Sequence, residues 1–319
     1  MSFQAVTQLA EQIKANIGRV IIGKEEVVEL LFIGLITSGH VLLEDVPGTG
    51  KTLLAKSLAR SLKLSFKRIQ FTPDLLPSDL SGIHFYNQKV SEFEFRAGPL
   101  FTNLLLADEI NRATPRTQSS LLECMEERQI SIDGETMQLE RPFMVIATQN
   151  PVEHQGTFPL PEAQLDRFLV KIKMGYPTTE EGLQLLKRFK DNDPLASLAP
   201  IADTSAILQA QQAYTGVKVT DDVLHYLLQI VEQTRKRDEV SVGVSPRGSQ
   251  ALLRAAQVHA ILRGRDFVTP DDVKAMAKPV LSHRLAIRGM HRTAGNADAI
   301  IEDIIRQTAV PAEAGLSIR

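Results

Sequence analysis

Cysteine is almost missing from this chain, with Cys124 the single thiol in 319 residues. That excludes an intramolecular disulfide and a cysteine-ligated zinc module, and it fits a reducing compartment. Tryptophan is absent, and neither sign of charge dominates, the formal balance being −2. Without an overall basic field to attract a polyanion, the composition argues against nucleic acid as the main partner. Long apolar runs are missing too. The greasiest stretch, Leu30 to Ile36, is far shorter than the ~20 residues a membrane-spanning helix needs. The opening MSFQAVTQLAEQIKAN is polar and mixed in charge, unlike a signal peptide, so a cytoplasmic location is expected. Internal repeats and low-complexity segments do not occur. The seven histidines show no ligand spacing, so no transition-metal site is expected. What remains is ordinary globular material, 43% hydrophobic and 23% charged, in a chain long enough for two modest domains.

Hydrophobic periodicity divides the chain. Val6, Leu9, Ile13 and Ile17 recur at helical spacing near the start. Short apolar runs then alternate with amphipathic helical segments. The candidate strands are Val41 to Leu43, Phe66 to Phe71, Leu104 to Leu106, Phe143 to Ala147 and Phe168 to Ile172. Continuous apolar runs are what parallel strands covered on both faces require, so the expectation is an α/β fold with a parallel sheet between helices. Two hairpins interrupt it. Asp133-Gly134 sits between alternating arms from Ile130 to Leu139, and a second turn near Asn87-Gln88 lies within Ile83 to Phe95. Beyond Tyr176-Pro177 strand signals stop. Thr220, Ser245-Pro246 and Thr269-Pro270 read as caps and first turns of helices. The expected division is an α/β core over residues 1–177 and an all-α lid over residues 178–319.

The chemistry is concentrated after the first strand. Asp45-Val46-Pro47-Gly48-Thr49-Gly50-Lys51-Thr52 joins a strand to the helical run Leu53 to Leu62, the context a P-loop demands. Gly48, Thr49 and Gly50 bring backbone N–H groups to the phosphates at a helix N-terminus. Lys51 is placed to reach the β- and γ-phosphates, and Thr52 to offer its hydroxyl to Mg²⁺. Asp45 departs from the motif, whose first position is glycine. A glycine turn capping a surface helix is the plain alternative. The strand Leu104 to Ala107 ends in Asp108-Glu109. Residues of opposite parity face opposite ways on a strand, so Asp108 is expected to partner Mg²⁺, mostly through water, and Glu109 to act as general base toward the attacking water.

Several further segments carry a resemblance. Gly98-Pro99-Leu100-Phe101, Leu104 to Ala113, Leu121 to Glu127, Ala147-Thr148-Gln149-Asn150-Pro151 and Pro161 to Phe168 together resemble the MoxR family of AAA+ ATPases, from about Val20 to Arg247. The resemblance implies a P-loop AAA+ core with a helical lid, ATP/ADP as nucleotide and Mg²⁺ as cofactor. It implies sensor 1 for Asn150, an arginine finger entering the neighbouring subunit for Arg167, and sensor 2, relaying lid position to the nucleotide, for Arg247. Val20-Ile21-Ile22-Gly23, with Ile21 and Ile22 foremost, would flank the adenine, and Arg112 is a further candidate for contact with the neighbour. Taken alone, each has a plainer reading as a turn residue, a surface arginine or core. The stretch from about Thr72 to Gly98 would be the helix-2 insertion of the clade that includes magnesium chelatase motor subunits. The two hairpins would shift with nucleotide state and push on a substrate; the plainer reading is that they are structural ornaments.

The function expected is Mg-dependent hydrolysis of ATP to ADP and phosphate in a homo-oligomeric ring, usually a hexamer. It would drive chaperone-like remodelling, assembly or metalloenzyme maturation of client proteins, with a von Willebrand A-domain protein as partner. The alternatives are a nucleic-acid motor, a chelatase-like metal-insertion motor and a nucleotide-gated scaffold. The basic cluster Arg235-Lys236-Arg237 is read as a complement to a helix C-terminal dipole, not as a nucleic-acid patch.

Overall fold

The computed structural model describes residues 1–150, 156–190, 193–288 and 294–311; Pro151 of the Ala147–Pro151 segment lies outside them. The chain opens with α1 (Phe3–Gly18) and α2 (Glu25–Ile36), followed by β1 (Val41–Glu44), α3 (Lys51–Ser61), β2 (Phe66–Gln70) and the short α4 (Pro77–Ser81). A hairpin of β3 (Gly82–Asn87) and β4 (Glu92–Ala97) precedes β5 (Leu104–Asp108) and α5 (Pro115–Glu127). A second hairpin, β6 (Gln129–Ile132) and β7 (Glu135–Gln138), leads into β8 (Met144–Gln149), α6 (Glu162–Leu165) and β9 (Val170–Ile172). Helices then dominate: α7 (Thr179–Phe189), α8 (Thr204–Ala213), α9 (Asp221–Lys236), α10 (Pro246–Leu262), α11 (Pro270–Leu281) and α12 (Ala294–Gln307). One departure from an all-helical second half is a short antiparallel pair, β10 (Val240–Val242) with β11 (Ala286–Ile287). A two-residue strand is too short to leave an alternation pattern.

Five strands form one parallel sheet in the order β2-β5-β8-β1-β9. Its two faces feed two cores, because side chains alternate along a strand. Val41, Leu43, Leu104, Leu106 and Ile146 join the cluster that includes α1, α2, α3 and the C-terminal helices. Leu42, Leu105, Val145 and Ala147 join the other, with Leu121, Leu122 and Met125 of α5. The first cluster also holds Leu252, Ala255, Val273, Val280 and Ile301, so one hydrophobic core runs from the sheet into the C-terminal helices. No helix among the described residues is long and apolar enough to cross a membrane.

Local chemistry accounts for the remaining geometry. The β6–β7 turn puts Asp133 (φ 51) and Gly134 (φ 86) in the left-handed region, as a two-residue mirror-image turn requires. Caps stand where expected: Ser245 Oγ accepts from Gly248 N–H at 3.1 Å, and the Asp272 carboxylate reaches back to Thr269 N–H at 2.7 Å. In a parallel sheet all C-terminal strand ends lie on one side, where ligands of such folds bind. That side carries the P-loop, Asp108 and Asn150.

Candidate functional site

Gly50 adopts φ 91 and precedes the first residue of α3, with no side chain capping the helix start. The first-turn N–H groups are therefore left for a ligand, and an anion suits them best. Lys51 Nζ folds back to donate to the carbonyls of Asp45 at 3.0 Å and Val46 at 2.8 Å. Burial lowers the Lys51 pKa, while the carboxylates of Asp45, Asp108 and Glu109 pull the other way. Thr52 follows Lys51, half-buried in the first turn of α3.

Asp45, the departure from the glycine pattern, has a structural reason. One carboxylate oxygen accepts from Val46 N–H at 2.8 Å, and the other accepts from Gly175 N–H at 2.8 Å. A glycine could do neither. The residue ties the P-loop to the segment that runs from β9 into α7.

Asp108 is the last residue of β5 and is largely buried. Its Oδ1 accepts from Thr148 Oγ1 at 2.6 Å, and its Oδ2 accepts from Arg68 Nη2 at 2.7 Å. Glu109 does not continue the strand. It turns into the left-handed region at φ 56 and begins the turn Ile110–Arg112. The two acids therefore diverge through a backbone turn, not through the strand alternation expected from sequence. A left-handed non-glycine costs of order 1–3 kcal/mol; here Thr148 Oγ1 accepts the Glu109 N–H at 2.8 Å. The Glu109 carboxylate accepts from Gln70 Nε2 at 2.7 Å and pairs with Arg112 Nε at 2.8 Å. Asn150, buried, follows β8 at the same end of the sheet.

Arg167 and Arg247 lie elsewhere. Arg167 precedes β9 and Arg247 is the second residue of α10, and both guanidiniums pair with the single carboxylate of Glu126 at the end of α5. They line a cavity of about 340 Å³ with His40, Arg128, Arg254 and Arg284. His40 immediately precedes β1, and its carbonyl accepts Leu169 N–H at 2.8 Å. The cavity is thus at the N-terminal ends of β1 and β9, opposite the P-loop. Arg247 does not reach its own P-loop, contrary to the simplest picture of a lid relay. Burial first, then the Arg247 charge, lowers the Arg167 pKa.

Val20 and Ile21 are buried and Ile22 is half-buried. A Cβ at Gly23 would run into Glu181 near the start of α7, so this stretch lies against the helix that follows the Gly175 segment held by Asp45. Sequence reasoning gave no role to Arg68, Gln70, Thr148, Glu126, Asp166 or Arg284. Thr148, two residues before Asn150 on a strand end, had a local signal. Glu126 and Asp166 lay within segments that carry the family resemblance but without a role, and Arg68, Gln70 and Arg284 act through long-range contacts and had no signal.

The donors fit magnesium. The Thr52 hydroxyl and the Asp108 carboxylate are hard oxygens, and Mg²⁺ needs only one or two such groups beside phosphates. Arg68 already sets a cation on the Asp108 carboxylate, so that edge accepts positive charge. No cluster of three or more histidine, cysteine or acidic residues able to hold a metal occurs among the described residues, which a phosphate-borne metal does not need.

Comparison with known proteins agrees with this geometry. The profile of the ATPase family associated with various cellular activities (AAA) matches residues 40–170, and that of the AAA lid domain matches residues 232–304. The chain is 48% identical to the protein YeaC of Bacillus subtilis, over 93% of each. It is 44% identical to the chaperone MoxR1 of Mycobacterium tuberculosis, over 85% of this chain and 74% of that protein. A crystal structure of a candidate ATPase from Cytophaga hutchinsonii superposes with a TM-score of 0.89 at 36% identity, over 97% of each chain. With a phosphate loop facing an acidic pair, and relatives of this kind along nearly its whole length, the chain belongs to the MoxR family of AAA+ ATPases and is an ATP-hydrolysing enzyme.

Proposed function

We propose that this ATPase works as a ring, each subunit completing its neighbour's site, and that turnover remodels client proteins. The observation that carries the reading is the separation just described. Lys51, Asp108 and Glu109 stand at one end of the sheet, while Arg167 and Arg247 stand at the other. A single subunit has both halves of a phosphoryl-transfer site but cannot close one upon the other. A second copy, offering its arginine end to the P-loop end of the first, can.

In this reading residues 1–177 are the nucleotide-binding core and residues 178–319 the lid. Gly48, Thr49 and Gly50 cradle the phosphates, Lys51 reaches the β- and γ-phosphates, and Ile21 and Ile22 flank the adenine. Thr52 and Asp108 hold Mg²⁺, which when bound supplies positive charge on the phosphate oxygens. Glu109 takes the proton from the attacking water, and the Asn150 amide orients that water or the γ-phosphate. Glu109 must first leave Gln70 and Arg112, which now occupy its carboxylate. Arg167 meets developing charge in the neighbour's site, and Arg247 reports the lid's position to that same site.

A client of protein chemistry is supported by the β3–β4 hairpin, which exposes Ile83, Tyr86, Val90 and Phe93 beside Glu92 and Glu94. A largely apolar hairpin whose exposed charges are mixed, Lys89 and Arg96 beside Glu92 and Glu94, suits polypeptide better than a phosphate backbone. The basic cluster is already engaged: Arg235 Nε donates to Val244 O at 3.0 Å, and Arg237 Nη2 pairs with Asp303 at 2.6 Å. A hexamer, a cytoplasmic site of action and a von Willebrand A-domain partner complete the reading, from the family resemblance.

The test mixes two inactive variants. Arg167→Ala lacks the finger and Glu109→Gln lacks the base, so mixed rings regain interfaces that hold both. Partial recovery of phosphate release at intermediate ratios is expected. Absence of recovery at every ratio rejects the shared site.

A further inference from the structure

Arg284 lies in the turn after α11, far along the sequence from any motif, yet the residue is only 4% exposed. Its Nε and Nη2 donors converge on one short segment, while Nη1 is shared between that segment, Val280 O of α11 and the adjacent His283 ring. Nε donates to Asp166 Oδ1 at 2.8 Å, Nη2 to Phe168 O at 2.6 Å and to Asp166 O at 3.3 Å, and Nη1 to Leu169 O at 3.2 Å. These three residues bracket Arg167, whose own side chain points away to Glu126 and to Leu122 O. The second Asp166 oxygen accepts from Ser245 Oγ at 2.8 Å. Ser245 caps α10, and Arg247 is the second residue of that helix. The surroundings are closed, since a Cβ on Gly248 would come within 2.9 Å of Arg284 Cδ.

A buried charge is a poor way to add stability, because desolvation offsets the attraction and an apolar side chain would fill the space at less risk. What a guanidinium offers is a rigid fork of donors that satisfies several acceptors in one fixed geometry. Here that geometry links the C-terminal helices to the backbone from which Arg167 projects.

We propose that Arg284 is a positioning residue for the arginine pair, fixing the backbone on both sides of Arg167 and, through Asp166 and Ser245, the start of the helix that carries Arg247. This rests on the finger reading of Arg167 above. Arg284 touches neither nucleotide nor the P-loop. Its loss should lower turnover without lowering the affinity of a single subunit for ATP, and the defect should belong to the finger the subunit donates.

Arg284→Lys keeps the charge and removes the fork. The expected result is a fall in kcat of about tenfold or more, with ATP affinity of the separated chain within about twofold of wild type. Mixing Arg284→Lys with Glu109→Gln should restore activity, because the second variant supplies an intact finger to the first variant's intact base. Mixing Arg284→Lys with Arg167→Ala should not. A general folding defect would be rescued by neither. If Arg284→Lys turns over like wild type, or is not rescued by Glu109→Gln although Arg167→Ala is, the inference falls and the finger stands. Failure of the Arg167→Ala and Glu109→Gln pair itself removes the finger reading instead. Should Arg284→Lys not fold, as judged by circular dichroism and gel filtration, Ser245→Ala takes its place. It removes one partner of Asp166 and should lower kcat two- to fivefold with the same rescue; unchanged kcat overturns the inference.

Discussion

At the C-terminal ends of the strands, the nucleotide-facing groups come from compact stretches of sequence: the loop from Asp45 to Thr52, the pair Asp108-Glu109, and Thr148 to Asn150. Each lies directly after or at the end of a strand. At the N-terminal ends, the arginine cavity draws on Arg128, Arg167, Arg247, Arg254 and Arg284, brought together from α5, the approach to β9, α10 and the turn after α11. The first end is built by local motifs whose backbone geometry is nearly self-specifying. The second exists only once the C-terminal helices have packed against the sheet. In the proposed ring, substitutions at the second end would change how subunits meet while leaving the first end intact.

The sharpest way to break that contrast is to disable one end at a time. Lys51→Ala should abolish both ATP binding and turnover. Arg167→Ala should leave ATP binding by the separated chain intact and reduce kcat by roughly 10³, the lower range for arginine fingers. Calorimetric titration with a slowly hydrolysed analogue and a phosphate-release assay read the two properties. If Arg167→Ala also loses binding, the two ends are one site and the contrast is wrong.

A smaller effect should follow from His40, which supports the arginine end. Its Nε2 donates to Met125 O at 2.9 Å, and its Nδ1 accepts from Val145 N–H at 2.9 Å, so the ring is held neutral. Burial lowers its pKa from 6.5 to about 4. The folded state then binds fewer protons than the unfolded state between those values. The stability from this group is complete above pH 6.5 and is lost as pH falls through 4, about 3 kcal/mol in all. Urea unfolding across pH 7.5 to 4.5 should show that slope, and His40→Asn should flatten it.

The smallest expected change concerns the nucleotide end. Asp45→Gly restores the usual first glycine but removes the acceptor for Val46 and Gly175 N–H. A loss of about 1–2 kcal/mol is expected for those hydrogen bonds, seen as a fall of a few degrees in Tm by scanning calorimetry. ATP affinity should change little, because the phosphate contacts come from backbone N–H groups and Lys51. A large loss of affinity would show that Asp45 shapes the cradle itself.

Much of this was legible residue by residue. The strands beginning at Val41, Leu104 and Met144 lie within nearly continuous apolar runs that need cover on both faces, whereas those beginning at Phe66 and Val170 carry Lys67, Arg68, Gln70 and Lys171 among their apolar residues. Asp133-Gly134 marked its hairpin, and Thr220, Ser245 and Thr269 marked their helices. The β10–β11 pair was not legible, since a strand as short as Ala286–Ile287 has no period to read. The direction of Glu109 was inferred from alternation, whereas a left-handed turn sets it. Arg68 and Gln70 meet the acidic pair only because β2 lies beside β5 with Gln70 opposite Asp108, and strand order is not written in local pattern.

By itself, the sequence determined that this chain has a phosphate loop, an acidic pair behind it and a sheet-then-helices order, because each depends on residues within one turn or one strand of each other. Only the tertiary structure decided that Arg167 and Arg247 share Glu126 at the far end of the sheet, that Asp45 binds Gly175, and that Arg284 grips the segment around Arg167. Those contacts join residues from 41 to 130 positions apart, and their geometry follows from how helices pack on the sheet, which no local rule encodes.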